Sequence, residues 1–325
     1  MLRHFTDLFG LTPAEARGLI DRACELKEAW RRGVREPLLA GRTLGLLFEK
    51  PSLRTRVSFE AAIAQLGGSA IFLPAKEVGI GVREPVADFA RVLSQYIDVL
   101  AARTYSQETV DELAQYATIP VINALSDKSH PCQAMADLMT VREAMGGTEG
   151  VKVAFVGDGN NVARSLAIAC ALSGAEFVLG CPAGYGFPET FRERFSASFR
   201  GIPLPELNDP REAVGGADVI YTDVWASMGQ EDEAEERRVA FQPYRVDEAL
   251  LGCARPDVVF LHCLPAHRGE EVTAEVLDGP RSLVIPQAAN RMHFQKALLL
   301  WLLNESGTLG LSQEPRATRR RSKTG

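Results

Sequence analysis

Thr43-Leu44-Gly45-Leu46-Leu47-Phe48 is a short run without a charged side chain, and Glu49-Lys50-Pro51-Ser52-Leu53-Arg54-Thr55-Arg56 follows it directly. A strand with one wet face would carry polar residues at every second position, so this run predicts a strand covered on both faces. The octet after it turns the chain and opens a segment of helical spacing over 57–66. The same rhythm repeats along the sequence. Apolar runs at 70–73, 99–102, 120–122, 153–156, 177–179, 219–221, 258–261 and 283–285 are each expected as strands. Helix-like stretches at 109–116, 133–145 and 162–172 lie between them. Strands alternating with helices mean parallel sheets wound by right-handed crossovers.

The fold class expected is therefore α/β, with two doubly wound parallel-sheet domains joined by interdomain helices. Met145-Gly146-Gly147-Thr148-Glu149-Gly150 marks the break, which divides the chain into domains at 1–145 and 146–290. A leucine-rich stretch over 294–303 is too apolar to stand free, so residues 291–308 are expected as a helix packing back across the junction. Residues 309–325 read as a disordered basic tail. At the other end, Thr12-Pro13-Ala14-Glu15 has the form of a capped helix start: a capping threonine, proline at the first helical position and a glutamate to complete the box.

With 325 residues, 46% hydrophobic and 24% charged, the chain has the composition of a globular protein large enough for two cores. A net charge of -6 argues against general nucleic-acid binding. No apolar run approaches the ~20 residues of a membrane span, and the first segment lacks a signal-peptide core, so a cytoplasmic location without membrane partners is expected. The six cysteines contain no CxxC pair and read as free thiols, not as a disulfide frame or a metal site.

Open α/β sheets collect ligands at the carboxyl ends of their strands, so the loops after the apolar runs are the places to search. In the first, Ser52 and Thr55 bring hydroxyls and Arg54 a planar fork to the start of a helix, whose backbone N–H groups favour an anion. The bland alternative is a serine-capped helix with surface arginines; two arginines and two hydroxyls in five residues exceed that need. The second loop, Ser129-His130-Pro131-Cys132-Gln133, offers a histidine and a glutamine able to meet one carbonyl oxygen and hold an amide NH2. The third, Gly157-Asp158-Gly159-Asn160-Asn161, lacks the spacing of a dinucleotide fingerprint and reads as a tight turn or an amino-acid site. In the last group, Asp223 ends a strand where its carboxylate can hold an ammonium group. Cys263 ends another, as a nucleophile or as a thiol lining a ligand.

FEKPSLRTRVSFE, HPCQAMADL, GDGNNVARS, DVWASMGQ, HCLPAH and ANRMH, in this order, closely resemble the ornithine carbamoyltransferases, over nearly the whole of residues 4–303. The resemblance implies transfer of a carbamoyl group from carbamoyl phosphate to the side-chain amine of L-ornithine, giving citrulline and phosphate, with no cofactor and no metal. It implies a carbamoyl-phosphate domain followed by an ornithine domain, and a homotrimer or multiple of trimers with active sites near subunit interfaces. Ser52, Leu53, Arg54 and Thr55 would form the phosphate loop, Arg103, His130 and Gln133 would hold the carbamoyl group, and Arg291 would close on the phosphate. Pro131, Cys132, Cys263 and Leu264 would complete that site, with Arg103, His130 and Cys263 at the reacting centre. Asn161, Asp223, Ser227 and Met228 would bind ornithine.

Three positions depart from the family pattern. Leu53 replaces a threonine of the phosphate loop, Ala289 stands where glutamate is frequent, and Gly79 aligns with a glutamine that reaches the phosphate from a neighbouring subunit. Among rivals, aspartate carbamoyltransferases share the phosphate loop and HPxQ, but DVWxSMG suits an amino-acid amine better than a second carboxylate. Putrescine carbamoyltransferases would not need Ser227-Met228, and relatives acting on acetylated ornithine differ around SMG and HCLPA. A nicotinamide-dependent dehydrogenase would need the absent GxGxxG.

Overall fold

The computed structural model describes residues 2–226 and 231–303. Ser227, Met228 and the basic tail lie outside the described residues.

Four parallel strands build the first sheet: β1 (Thr43–Phe48), β2 (Ser69–Pro74), β3 (Val99–Arg103) and β4 (Val121–Leu125), in the order β2-β1-β3-β4. Five more build the second: β5 (Lys152–Val156), β6 (Glu176–Gly180), β7 (Glu206–Leu207), β8 (Val219–Thr222) and β9 (Val259–His262), in the order β7-β6-β5-β8-β9. Every strand pair is parallel, with Leu46 opposite Ala101 at the centre of one sheet and Ala154 opposite Ile220 at the centre of the other. The unbroken apolar runs are the physical cause: β1, β3 and β5 are buried along almost their whole length, as strands sandwiched between helices must be. Both sheets reverse their strand order beside the first strand, between β1 and β3 and between β5 and β8. Such a reversal separates neighbouring loops and opens a crevice at the strand ends.

The Pro13–Arg31 helix starts on the expected box, Thr12 accepting from the Glu15 backbone N–H while the Glu15 carboxylate takes the Thr12 N–H. One apolar core runs beneath both sheets. The Pro13–Arg31, Pro131–Met145, Asn161–Ser173 and Val284–Leu303 helices fill it, and smaller cores cover the outer face of each sheet. The two domains therefore share interior. Lys27 reinforces the seam: its ammonium meets Glu143 at 2.6 Å and the Asn290 amide oxygen at 2.7 Å.

One expected strand is corrected. Residues 283–285 do not form one; Val284 begins a continuous helix to Leu303, and only Ser282 bridges to Phe260. A three-residue apolar run has no period, and here Pro286 sits in a first helical turn, where a missing N–H costs nothing. The 290/291 division consequently falls inside a helix.

Candidate active site

The strand-end loops of the two sheets face one another across a cavity of about 740 Å³. From the first domain it is lined by Ser52, Leu53, Arg54 and Thr55 after β1, Arg103 at the end of β3, and His130 and Gln133 after β4. From the second it is lined by Asn161 after β5, Asp223 after β8 and Cys263 and Leu264 after β9, with Arg291 entering from the long terminal helix. Pro131 and Cys132 open the Pro131–Met145 helix, are buried, and are not among the lining residues. Cys132 is buried, its thiol 3.6 Å from the Asn123 carbonyl, and burial pushes that thiol up to about 12.

Local geometry explains the first wall. Ser52 caps the Leu53–Gln65 helix, accepting the Thr55 N–H at 3.3 Å and donating to the Thr55 hydroxyl at 3.0 Å. Capping and anion binding use the same helix end, so the two readings of this loop are compatible. The Glu49 N–H donates to the Arg103 carbonyl at 2.8 Å and its carboxylate accepts the Tyr105 N–H at 2.6 Å, which ties the loop to the end of β3. Arg291 donates to the Thr55 hydroxyl at 2.9 Å and to the Gln133 amide oxygen.

These cations crowd one another. Burial, then the guanidiniums of Arg291 and Arg54, lower Arg103 to about 10, so it stays charged at neutral pH but in a field that favours an anion. Burial, then Arg291 and Arg103 beside it, hold His130 well below the usual imidazole range. It is a neutral ring offering one N–H. The Nε atoms of Arg103 and Arg291 and Nδ1 of His130 are buried with no hydrogen-bond partner among the described residues, so they retain capacity for a ligand.

The second wall has a different character. Asp223 accepts the Cys263 thiol at 3.0 Å and the Val224 N–H at 2.9 Å on one oxygen, and the Asn160 amide at 3.0 Å on the other. All three donors are neutral, so they fix the direction of the carboxylate without pairing it with a cation. Burial and the adjacent Asp223 push the Cys263 thiol well above its ordinary value. The thiol is therefore a donor, and the nucleophile alternative loses its basis, because the thiolate is the reactive form. The Asn161 amide crosses between domains to the Ser126 carbonyl at 2.6 Å, and the His130 backbone N–H reaches the Ser165 hydroxyl at 2.8 Å. Gly159 is needed for close approach: a Cβ there would meet the Gly186 carbonyl carbon at 2.6 Å.

Gly79 is not among the lining residues. It ends a short helix in the left-handed region, φ 70°, where glycine is favoured, and a Cβ would meet the Arg83 side chain at 2.5 Å. Leu53 is 76% exposed at the mouth of the phosphate loop, and Ala289 is exposed on the terminal helix. Sequence reasoning did not single out Lys50, Tyr105, Asp127, Arg164 or His267, which also line the cavity. Lys50 stands 4.5 Å over the Tyr105 ring, and Arg164 donates from Nε to the Gly159 carbonyl at 2.9 Å. Both sit inside motifs already quoted, but nothing in one sequence separates a lining cation from a surface one.

Asp223, His262 and Cys263 bring donor atoms within 4.8 Å of one another, which suggests a metal site on distance alone. Both His262 nitrogens are engaged, however. Nδ1 accepts the Leu264 N–H at 2.9 Å, which leaves Nε2 to donate to Glu271 at 3.1 Å. A metal would have to displace one of these buried bonds.

Two family models match the chain. The carbamoyl-P binding domain of aspartate/ornithine carbamoyltransferase covers residues 3–143, and the Asp/Orn binding domain covers residues 149–302. The ornithine carbamoyltransferase of Anoxybacillus flavithermus is 51% identical over 303 residues, 93% of this chain and 96% of its own. The anabolic enzyme of that name from Pyrococcus furiosus is 53% identical over 289 residues, 88% of this chain and 92% of its own. Among solved structures, ornithine carbamoyltransferase from Pyrococcus furiosus superposes with a TM-score of 0.88 at 51% identity, covering 91% of this chain and 96% of that one.

Proposed function

Because the chain belongs to the aspartate/ornithine carbamoyltransferase family, we propose that it transfers the carbamoyl group of carbamoyl phosphate to the side-chain amine of L-ornithine, giving L-citrulline and phosphate. The observation that carries this reading is the opposition of charges across one cavity. Arg54, Arg103 and Arg291 line one side and Asp223 another, and the neutral side chains of His130, Gln133 and Thr55 stand among the arginines. A phosphorylated carbamoyl donor is anionic, and an amino acid presents an ammonium group; each substrate finds its complement.

Carbamoyl phosphate is already activated, so the protein has to orient two small polar molecules and stabilise charge as it develops. Asp223 pairs with the α-ammonium of ornithine, while Asn161, Ser227 and Met228 complete its site. The neutral δ-amine attacks the carbamoyl carbon. Arg103, His130 and Thr55 donate to the oxygen that becomes an oxyanion. A neutral histidine suits this task, since it offers an N–H without adding a further cation to the cluster. Ser52, Arg54, Arg291 and the backbone N–H groups of Leu53 and Arg54 hold the departing phosphate, which accepts the proton released by the amine. Leu264 and the Cys263 thiol line the reacting centre, the thiol by holding Asp223 in place.

The chain assembles, on this reading, as a homotrimer or a multiple of trimers with sites near subunit interfaces. The first domain leaves Leu53, Val57, Ile71 and Val82 exposed, apolar surface of the kind that a partner covers. Light scattering should give three times the mass of one chain, or a multiple of it; a monomer would rule the assembly out. A cytoplasmic site of action fits six free cysteines, which a reducing compartment preserves. Among the described residues, no helix is long and apolar enough to cross a membrane.

The decisive assay measures citrulline colorimetrically with purified protein and compares ornithine, putrescine, aspartate and N-acetylornithine as acceptors. Turnover with ornithine far above the other three is expected. Activity confined to one of the others would overturn the assignment.

A further inference from the structure

Gln133 is 1% exposed and lines the cavity, and its amide is held from behind by a carboxylate with no part in the chemistry so far described. Asp137, one helical turn further along the Pro131–Met145 helix, is wholly buried at the seam of the two domains. Its Oδ1 accepts the Gln133 Nε2 at 2.7 Å and the Gln287 Nε2 at 2.7 Å.

The hydrogen bonds around it can run in one direction only. The His262 backbone N–H, which cannot accept, donates to the Gln287 Oε1 at 2.9 Å. Gln287 must therefore turn its Nε2 toward Asp137, with the Tyr221 hydroxyl at 3.2 Å as a second neighbour. At the other end Arg291, which also cannot accept, donates to the Gln133 Oε1. With its NH2 turned to Asp137, the Gln133 amide directs its oxygen toward Arg291 and the cavity, and that oxygen has a second lone pair beside the one Arg291 uses. The arrangement does not depend on the charge of Asp137. Its Oδ2 is buried without a hydrogen-bond partner among the described residues, so a proton can reside there while Oδ1 goes on accepting.

We infer that Asp137 is a positioning residue that fixes the polarity of Gln133, so that the cavity presents an acceptor to the acyl carbon's substituent and selects a donor substrate bearing NH2 there. A methyl group in that place, as in acetyl phosphate, cannot donate and leaves the oxygen unpaired. A Gln133 amide held by Arg291 alone, without Asp137 on its NH2, turns more readily and weakens the distinction, because its NH2 can then face the substrate. This deepens the proposed carbamoyl transfer and rests on it.

The test compares the wild type with D137N, D137A and D137L. It measures KM for carbamoyl phosphate, KM for ornithine and the inhibition constant of acetyl phosphate against carbamoyl phosphate. In D137A and D137L the KM for carbamoyl phosphate should rise about 20-fold, the order expected when one well-directed buried hydrogen bond is lost. The acetyl phosphate constant and the ornithine KM should each move less than about threefold. D137N retains an acceptor oxygen for Gln133 and Gln287, so its ratio of the two donor-site constants should stay within about threefold of the wild type. A merely structural role would raise both constants in proportion, and that result overturns the inference. So does an unchanged ratio in the alanine or leucine variant, or loss of discrimination in D137N. The alanine and leucine variants leave different spaces, and D137N is nearly isosteric, so failure of one to fold leaves the others to decide. If the wild type itself makes no citrulline, the parent reading fails; if it does and the ratio holds in D137A, only the role of Asp137 fails.

Discussion

The two walls of the cavity solve opposite electrostatic problems. On the phosphate side Arg103 sits close enough to Arg291 and Arg54 for their charges to lower its pKa, and Arg291 uses its own nitrogens on the neutral Gln133 and Thr55. On the amino-acid side a single carboxylate, Asp223, is aimed by a thiol, an amide and a backbone N–H. The first wall is a set of like charges whose mutual repulsion an anion relieves. The second aims one carboxylate whose direction is fixed in advance, while the other acidic side chain there, Asp158, is paired with Arg237 at 2.8 Å. Removing a cation should therefore damage the chemistry itself, whereas removing the carboxylate should chiefly weaken capture of one substrate.

The harshest way to break this contrast is Arg54→Ala. Loss of a guanidinium from an anion-stabilising cluster costs several kcal/mol in the transition state, so kcat/KM for carbamoyl phosphate should fall by about 10³-fold or more. Inorganic phosphate should raise the melting temperature of the wild type, and raise that of the variant less, because stabilisation follows affinity. A variant retaining a tenth of its activity would show that the cluster is redundant. The counterpart on the other wall is Asp223→Asn. Its side chain keeps the shape but not the charge, so KM for ornithine should rise about 100-fold, within the range for losing one partner of a buried ion pair. KM for carbamoyl phosphate should stay within about threefold. Equal damage to both constants would mean that the walls do not divide the substrates as proposed.

This division was partly legible in the sequence. Arg54, His130, Gln133, Asp223 and Cys263 all stand in strand–loop–helix junctions, and a doubly wound sheet gathers such junctions at one end whatever its details. Arg103 and Arg291 came only through the family resemblance, since nothing local distinguishes an arginine ending a strand or one on a leucine-rich helix. The chain from His262 through Gln287 and Asp137 to Gln133 was not legible at all, apart from the helical spacing of Gln133 and Asp137. It joins residues far apart in sequence, and only packing of the Val284–Leu303 helix into the shared core brings them together. The run over 283–285 misled for a related reason: a buried helix start and a buried strand are both continuously apolar.

Asp137 lies between the walls, and its burial predicts a smaller, pH-dependent effect. Burial raises its carboxyl to about 7, against the hydrogen bonds of Gln287, Gln133 and Tyr221 and the charge of Arg291, which all lower it. The unfolded chain ionises this group near pH 4. Between those values the folded state holds the proton more tightly, so its contribution is complete below the unfolded pKa and is lost as pH rises through about 7. D137N removes that dependence. Relative to the wild type its melting temperature should gain about 4 °C more at pH 8 than at pH 5, because about two pH units below the folded pKa correspond to roughly 3 kcal/mol, at about 1.5 °C per kcal/mol in a chain of this size. A difference that does not change with pH would place the proton elsewhere.

The smallest expected effect belongs to Leu53, where the phosphate loop departs from the family pattern. Leu53 opens the Leu53–Gln65 helix and is 76% exposed, so its side chain contributes little to the core, while its backbone N–H belongs to the helix end that faces the cavity. Leu53→Thr restores a hydroxyl at the edge of an anion site that already has Ser52, Thr55 and the arginines. One added hydrogen bond at a wet position contributes well under the ~1 kcal/mol typical of a buried one. KM for carbamoyl phosphate should therefore fall only about two- to threefold, with the ornithine KM and melting temperature nearly unchanged. A tenfold gain would show that the crowded cationic wall alone does not determine phosphate affinity, and that the hydroxyl missing at Leu53 limits it.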